Sequence, residues 1–313
     1  MQVFHADSFV LPLPPGHRFP MSKYRLLREA VESDMPQLTV RPAPAATDGE
    51  LALAHEPAWV RAVAEGTTSE AQQREIGFPW SPAMVERARR SVGATIAAAR
   101  AALFEGEGIA ANLAGGTHHA SAHKGSGYCV FNDVAVAARL MQAEAHRRWR
   151  RLLRVWVIDL DVHQGNGTAS IFRDDETVFT LSLHGEKNFP FRKEPSDLDV
   201  ELPDGCGDTA YLAALDDALD TAWQRQQQSP PALVFYLAGA DPHENDRLGR
   251  LRLTLEGLAE RDRRVLRRLA RWKLPAAVSM AGGYNRDVAT TVAIHRQTLE
   301  LAHAHWRQWR AGA

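Results

Sequence analysis

Residues 155–167, VWVIDLDVHQGNG, constrain the fold of this chain more than any other stretch. An apolar, β-branched run carries Asp159, Asp161 and His163 and then breaks into a glycine-punctuated loop. Alternate side chains of an extended strand share a face, so residues 159, 161 and 163 are expected to point the same way. Two carboxylates and an imidazole on one face repel and desolvate one another unless a cation or proton sits among them. A divalent metal is the economical solution. A run with no wet face also calls for a sheet covered on both sides, as parallel sheets are.

The pattern recurs along the chain. Stretches 109–113, 177–184, 232–241 (ALVFYLAGAD) and 276–280 read as further strands, with 2–4 as a short opening one. Helical spacing lies between them, at 82–104, 132–151, 208–226, 255–272 and 287–310. Ser81 and Pro82 suit the cap and first residue of the first of these, and shorter helices are expected at 57–64 and from Ser22, whose hydroxyl would cap it. Residues 41–50 and 66–80 read as loops, the second long enough to suggest function. Alternating strands and helices predict one domain over residues 1–313, α/β in class, with a central parallel sheet in a three-layer arrangement. Four strands end in reactive residues: His118 and His119, the 159–163 set, Asp241, and Tyr284. Ligands of open α/β sheets bind beyond the carboxyl ends of strands, so these four loops are expected to converge.

Composition bounds the partners. The formal net charge of -1 recruits neither nucleic acid nor anionic membrane globally. Cys129 and Cys206 are the only cysteines, which makes no disulfide framework and no Cys-rich zinc site. The N-terminal stretch lacks the features of a secretory signal, and no apolar run approaches the roughly 18 residues of a spanning helix. A cytoplasmic protein is the expectation.

Asp161, His163 and Asp241 taken together offer two oxygens and one nitrogen and leave a position open for water or a substrate carbonyl, as catalytic zinc sites do. Metal binding lowers the pKa of water from 15.7 to about 7 and polarises a carbonyl. Amide hydrolysis then needs a base and an acid, for which His118 and His119 are suited, and a donor to the developing oxyanion, which the Tyr284 hydroxyl can be. Singly, Asp241 reads as a turn former and the His pair as a weak signal; their joint occurrence at four strand ends carries the reading.

The blocks HRFPM (17–21), GGTHHA (115–120), GYCVFND (127–133), DLDVHQGNG (159–167), SLH (182–184), GAD (239–241) and GGYN (282–285) resemble, in order, those of the zinc-dependent histone deacetylase superfamily. HQGNG and GFPWS (77–81) resemble most its class IV branch and bacterial relatives. The resemblance implies the arginase/deacetylase fold, with an eight-stranded parallel sheet, and removal of acetyl or other acyl groups from lysine. It makes Asp161, His163 and Asp241 the ligands of one catalytic zinc, His119 the general base and acid, His118 its electrostatic partner, and Tyr284 the carbonyl-polarising donor. Asp159 is expected to bond His118, and Asn166 to bond His119. A structural potassium site is implied at Asp159, Asp161, His163, Ser182 and Leu183. Gly127, Tyr128 and Phe189 would line the acyl-lysine tunnel, with Arg18 beside an inner cavity for the acid product.

Many family members have Asp where this chain has Asn166. A neutral amide orients the His119 ring without stabilising its imidazolium, so His119 should be less basic than in an Asp-paired site. Three other readings stay open at this point: a deacetylase of acetylpolyamines or other small N-acyl amides, a two-manganese ureohydrolase, and a non-catalytic acyl-lysine binding module.

Overall fold

Every residue of the strand Val155–Asp159 is buried, because its two faces meet different layers. Val155 and Val157 join one hydrophobic core, while Trp156 and Ile158 join the other. The computed structural model describes residues 1–313 apart from Phe9, Pro15 and Ala313, so part of the early Pro-rich segment lies outside the described residues.

The sheet contains β1 (Gln2–His5), β2 (Thr39–Pro42), β3 (Ile109–Asn112), β4 (Val155–Asp159), β5 (Val178–Gly185), β6 (Leu198–Leu202), β7 (Leu233–Leu237) and β8 (Ala276–Ser279). Its order is β2-β1-β3-β8-β7-β4-β5-β6, with every pairing parallel. The helices are α1 (Ser22–Asp34), α2 (Asp48–Leu51), α3 (Pro57–Glu65), α4 (Glu70–Ile76), α5 (Pro82–Phe104), α6 (Asp133–Trp149), α7 (Asn166–Phe172), α8 (Asp208–Gln226), α9 (Leu255–Trp272) and α10 (Val288–Ala311). Residues of α5 and α6, such as Val92, Ile96 and Met141, cover one face, and residues of α8, α9 and α10, such as Leu215, Leu266 and Leu299, the other. The three layers follow from strands that need apolar cover on both sides. Among the described residues no helix is long and apolar enough to cross a membrane.

The sheet order positions the site. β3, β8, β7 and β4 are consecutive neighbours at the centre, and they are the four strands that lead into the reactive residues. Their carboxyl ends therefore open side by side.

Several local expectations are corrected. The segment 66–80 contains α4, closed at its start by a capping box between Ser69 and Gln72; only Ile76 of that helix is buried, so no apolar period marked it. The segment 41–50 holds the end of the edge strand β2 and the single-turn α2. The edge strand β6 and the short α7 were likewise too brief for a periodic signal. Ser22 does not cap α1, because Met21 already has helical dihedrals of φ -56 and ψ -31 and Ser22 lies inside the helix.

Candidate active site

The geometry of residues 159–163 is not that of a pleated strand. Sheet pairing on β4 ends with Asp159 opposite Ser182 and Leu237, and the chain then turns. Carboxylates hold the turn: Asp161 N donates to Asp159 Oδ1 at 3.2 Å, His163 N to Asp161 Oδ1 at 2.9 Å, and Val162 N to Asp241 Oδ1 at 2.9 Å. Asp161 and His163 thus share a site because a carboxylate-braced loop puts them there, not because of strand alternation.

Asp161, His163 and Asp241 are buried, and one ligand atom of each lies within 4.8 Å of the others. His163 Nδ1 is 2.9 Å from Asp161 Oδ1 and 3.3 Å from Asp241 Oδ2. Asp241 Oδ2 is buried without a hydrogen-bond partner, and an orphaned carboxylate oxygen in the interior calls for a cation. Gly282 makes the approach possible: a Cβ there would stand 1.9 Å from Asp241 Oδ2 and 2.5 Å from Asp161 Oδ2, while its N–H donates to Asp161 Oδ2 at 2.7 Å. Two oxygens and a nitrogen suit zinc, so the residues present fit a catalytic metal.

The electrostatics agree. Burial and the nearby Asp161 push the Asp241 carboxyl up to about 7. Burial disfavours the charged form of His163, but its hydrogen bond to Asp161 and the close negative charges of Asp161 and Asp241 outweigh that and raise it to about 10. The cluster is one that attracts positive charge.

His118 and His119 follow β3 in a loop stitched to the start of α6. Asp133 accepts from Gly116 N at 3.1 Å, Thr117 N at 2.8 Å and Thr117 Oγ1 at 2.7 Å. His118 Nδ1 bonds Asp159 Oδ2 at 2.6 Å, and His119 Nδ1 bonds Asn166 Oδ1 at 2.7 Å. Both oxygens can only accept, so each Nδ1 carries the proton and, while the ring is neutral, each Nε2 keeps its lone pair. Burial opposes a charge on His118, yet Asp159 and Asp161 raise it to about 9. His119 is held well below 6.5, by burial first and then by the charge of His118.

Tyr284 follows β8 and is fixed by its backbone, with N donating to Asp246 Oδ2 at 2.6 Å and O accepting from Arg247 Nε at 3.0 Å. Its ring centroid lies 6.5 Å from that of His163. Burial, then Asp161, pushes the phenol well above 10, so it remains a donor.

These groups open into one cavity of about 1060 Å³. Gly127 has φ +52, and a Cβ there would meet the ring of His119 at 2.6 Å and that of Phe189 at 3.1 Å. Gly127 and Phe189 therefore form a close wall beside His119, and Tyr128 stands 5.9 Å from Tyr284, ring to ring. Arg18 also lines the cavity but is exposed, at the mouth and not at an inner end. The buried cations of the lining are Lys23, 3% exposed, and Arg87, 9% exposed, with Lys23 Nζ bonded to Gly283 O at 3.2 Å. Arg18 precedes α1 in an exposed loop, whereas Lys23 lies in its first turn on the buried side; the HRFPM block drew attention to the wrong cation. Ser182 lies opposite Asp159 on β5, and both Ser182 and Leu183 are buried. Gln164 is spent on Glu194 O at 2.6 Å and Asp199 Oδ1 at 2.9 Å, away from the metal group.

Sequence reasoning missed Arg261. It is wholly buried, bonds Asp262 Oδ1 through Nε at 2.8 Å, and directs Nη1 at Gly239 O, 2.5 Å, and Leu160 O, 3.4 Å. Those carbonyls lie one residue before Asp161 and two before Asp241. On a helix as charged as α9, nothing in the sequence singled out one arginine of many.

The eight-stranded parallel three-layer fold matches that of the HDA15 HD domain crystal structure, with a TM-score of 0.78 over 99% of this chain and 93% of that one, at 20% identity. Residues 17–299 match the Histone deacetylase domain, and the chain belongs to the histone deacetylase family. It is 44% identical over 302 residues to an uncharacterized protein of Picosynechococcus, covering 94% of this chain and 95% of that one. It is 35% identical over 208 residues to histone deacetylase 2 of Arabidopsis thaliana, 66% of this chain and 51% of the relative. A probable deacetylase of Archaeoglobus fulgidus is 29% identical over 192 residues, 58% of this chain and 51% of the relative. Membership of this family supports a hydrolytic deacetylase activity in general terms.

Proposed function

We propose that the protein is a zinc-dependent deacylase that removes acetyl or other acyl groups from lysine side chains or small N-acyl amines. The observation that carries the reading is the orphaned Asp241 oxygen in the Asp161-His163-Asp241 group, whose members Asp161 and His163 line one cavity with His118, His119 and Tyr284. When bound, zinc would supply a Lewis acid beside the scissile carbonyl.

The protein's own residues do the rest. His119, neutral and with Nδ1 tied to Asn166, takes a proton from the attacking water on Nε2 and passes it to the leaving amine. His118, kept cationic by Asp159, adds positive charge next to the reaction centre. Tyr284 donates its hydroxyl hydrogen to the developing oxyanion. Gly127, Tyr128 and Phe189 sheathe the alkyl chain, and Lys23 and Arg87 supply the buried charge that would meet a carboxylate product, the place first given to Arg18. A potassium ion at Asp159, Asp161, His163, Ser182 and Leu183 would brace the same loop. Against a two-metal ureohydrolase, Gln164 is engaged elsewhere and His243 Nδ1 is 2.8 Å from Asn285 Oδ1.

Turnover of an acetyl-lysine peptide by zinc-loaded protein, lost on chelation and restored by zinc, tests the reading. Tyr284→Phe should lower kcat by roughly 10² to 10³ with bound zinc unchanged. Full turnover by metal-free protein, or by Asp161→Ala, would overturn it.

A further inference from the structure

The chain is electrically balanced at a formal net charge of -1, but the mouth of its cavity is not. Arg18, Lys187, Arg192 and Arg247 line the mouth and are exposed, and among the described residues none is ion-paired. The other lining cations near the surface, Arg74 and Arg250, are paired with Glu70 and Asp204. Among the described residues the lining carboxylates are Glu75, which holds Lys124 at 2.5 Å, and Asp161 of the metal group. Four uncompensated cations therefore surround the way in.

Arg247 is the anchored member. Its Nε donates to Tyr284 O at 3.0 Å and its Nη2 to Arg18 O at 2.9 Å. Two carbonyls fix the guanidinium plane without neutralising its charge. Nη1 and the second hydrogen of Nη2 are left along one edge, the parallel pair of donors that a carboxylate accepts. Arg18 and Arg247 line the same cavity as Tyr128, and their positive charges oppose the rise that burial gives its phenol.

Resting on the deacylase reading above, we propose that the substrate carries a carboxylate on the amine side of the scissile amide, bound at the mouth by Arg247 with Arg18. A polycationic amine is disfavoured there by like-charge repulsion. The carboxylate has two possible sources, the α-carboxylate of the acylated lysine itself or an acidic residue flanking it in a peptide.

Steady-state kcat/KM of the zinc-loaded protein decides, across five substrates. These are Nε-acetyl-lysine with a free α-carboxylate, its primary amide, acetyl-lysine peptides flanked by Asp or by Lys, and N-acetylputrescine. The free carboxylate or the Asp-flanked peptide should exceed the amide roughly five- to tenfold, as one solvent-accessible charge-assisted pair allows. Whichever of the two leads identifies the source. The ratio should narrow at about 0.5 M salt, where the Debye length falls to a few ångströms. In Arg247→Gln the carboxylate-to-amide ratio should fall close to one, and Arg247→Lys should keep part of it, a comparison that cancels any general loss of activity. If neither the free carboxylate nor the Asp-flanked peptide exceeds the amide, or if the Lys-flanked peptide or N-acetylputrescine leads, this proposal is overturned and the deacylase reading left standing. No turnover of any of the five overturns both.

Discussion

His119 Nδ1 meets the side-chain amide of Asn166 at 2.7 Å, while the adjacent His118 Nδ1 meets the carboxylate of Asp159 at 2.6 Å. Neighbouring imidazoles thus donate the same hydrogen bond to partners of different charge. His118 is raised to about 9 against the pull of burial, and His119, desolvated and beside that cation, is held well below 6.5. Asn166 adds orientation without charge.

Asn166→Asp should therefore raise the His119 pKa, by about one unit or more. A general base works deprotonated, so the acid limb of the kcat/KM profile should move to higher pH. Rates measured from acid to neutral pH check this; an unmoved limb would assign it to a group other than His119.

On the proposed reading zinc should stabilise the fold, since it would bind the native cluster and relieve the burial of Asp161 and Asp241. At a hundredfold excess over Kd, linkage gives about 2.7 kcal/mol. Differential scanning calorimetry with and without zinc should show Tm rising with the metal, and Asp241→Ala should abolish both the rise and the stoichiometric zinc content.

Arg261→Met should destabilise the protein by about 3 to 5 kcal/mol, because it leaves the buried Asp262 carboxylate without its cation. Tyr236 Oη at 2.5 Å and Thr298 Oγ1 at 2.6 Å hold that carboxylate in place. The loops before Asp161 and Asp241 lose their shared donor at the same time, so zinc affinity should fall as well. Urea unfolding and a chelator competition measure the two effects; a variant as stable as the parent would refute the clamp.

His55 should make the fold acid-sensitive. Its Nδ1 bonds Ser121 O at 3.0 Å and its Nε2 accepts from Asn132 N at 2.8 Å, an arrangement that requires the neutral ring. Burial lowers its pKa from 6.5 to about 4. The unfolded chain then binds the proton more readily, so stability is complete above about pH 6.5 and is lost as pH falls toward 4, by about 3 kcal/mol in all. Urea midpoints between these limits should decline with acidity in the parent and less steeply in His55→Gln.

Long elements were legible from sequence because their apolar period repeats several times: 82–104, 208–226 and 255–272 match α5, α8 and α9 to the residue. β2, β6, α2, α4 and α7 were not, being edge strands or single short helices that bury too few residues to show a period. The motif blocks contain the candidate residues that the structure brings together, since each sits in a recognisable local pattern. They set Arg18 beside an inner cavity, where the structure has it exposed, because which cations are buried, Lys23 and Arg87 here, depends on what packs over them.

The sequence by itself determined the parallel three-layer class and singled out the candidate groups, because side-chain period and local motif are properties of neighbouring residues. Only the tertiary structure decided how those groups meet. Setting β3, β8, β7 and β4 side by side brings Gly282 against Asp161, 121 positions away, and Val162 against Asp241, 79 positions away. Arg261, Lys23 and Arg247 acquire their places the same way, through carbonyls and carboxylates from distant segments, and contacts at such separations leave no local signature.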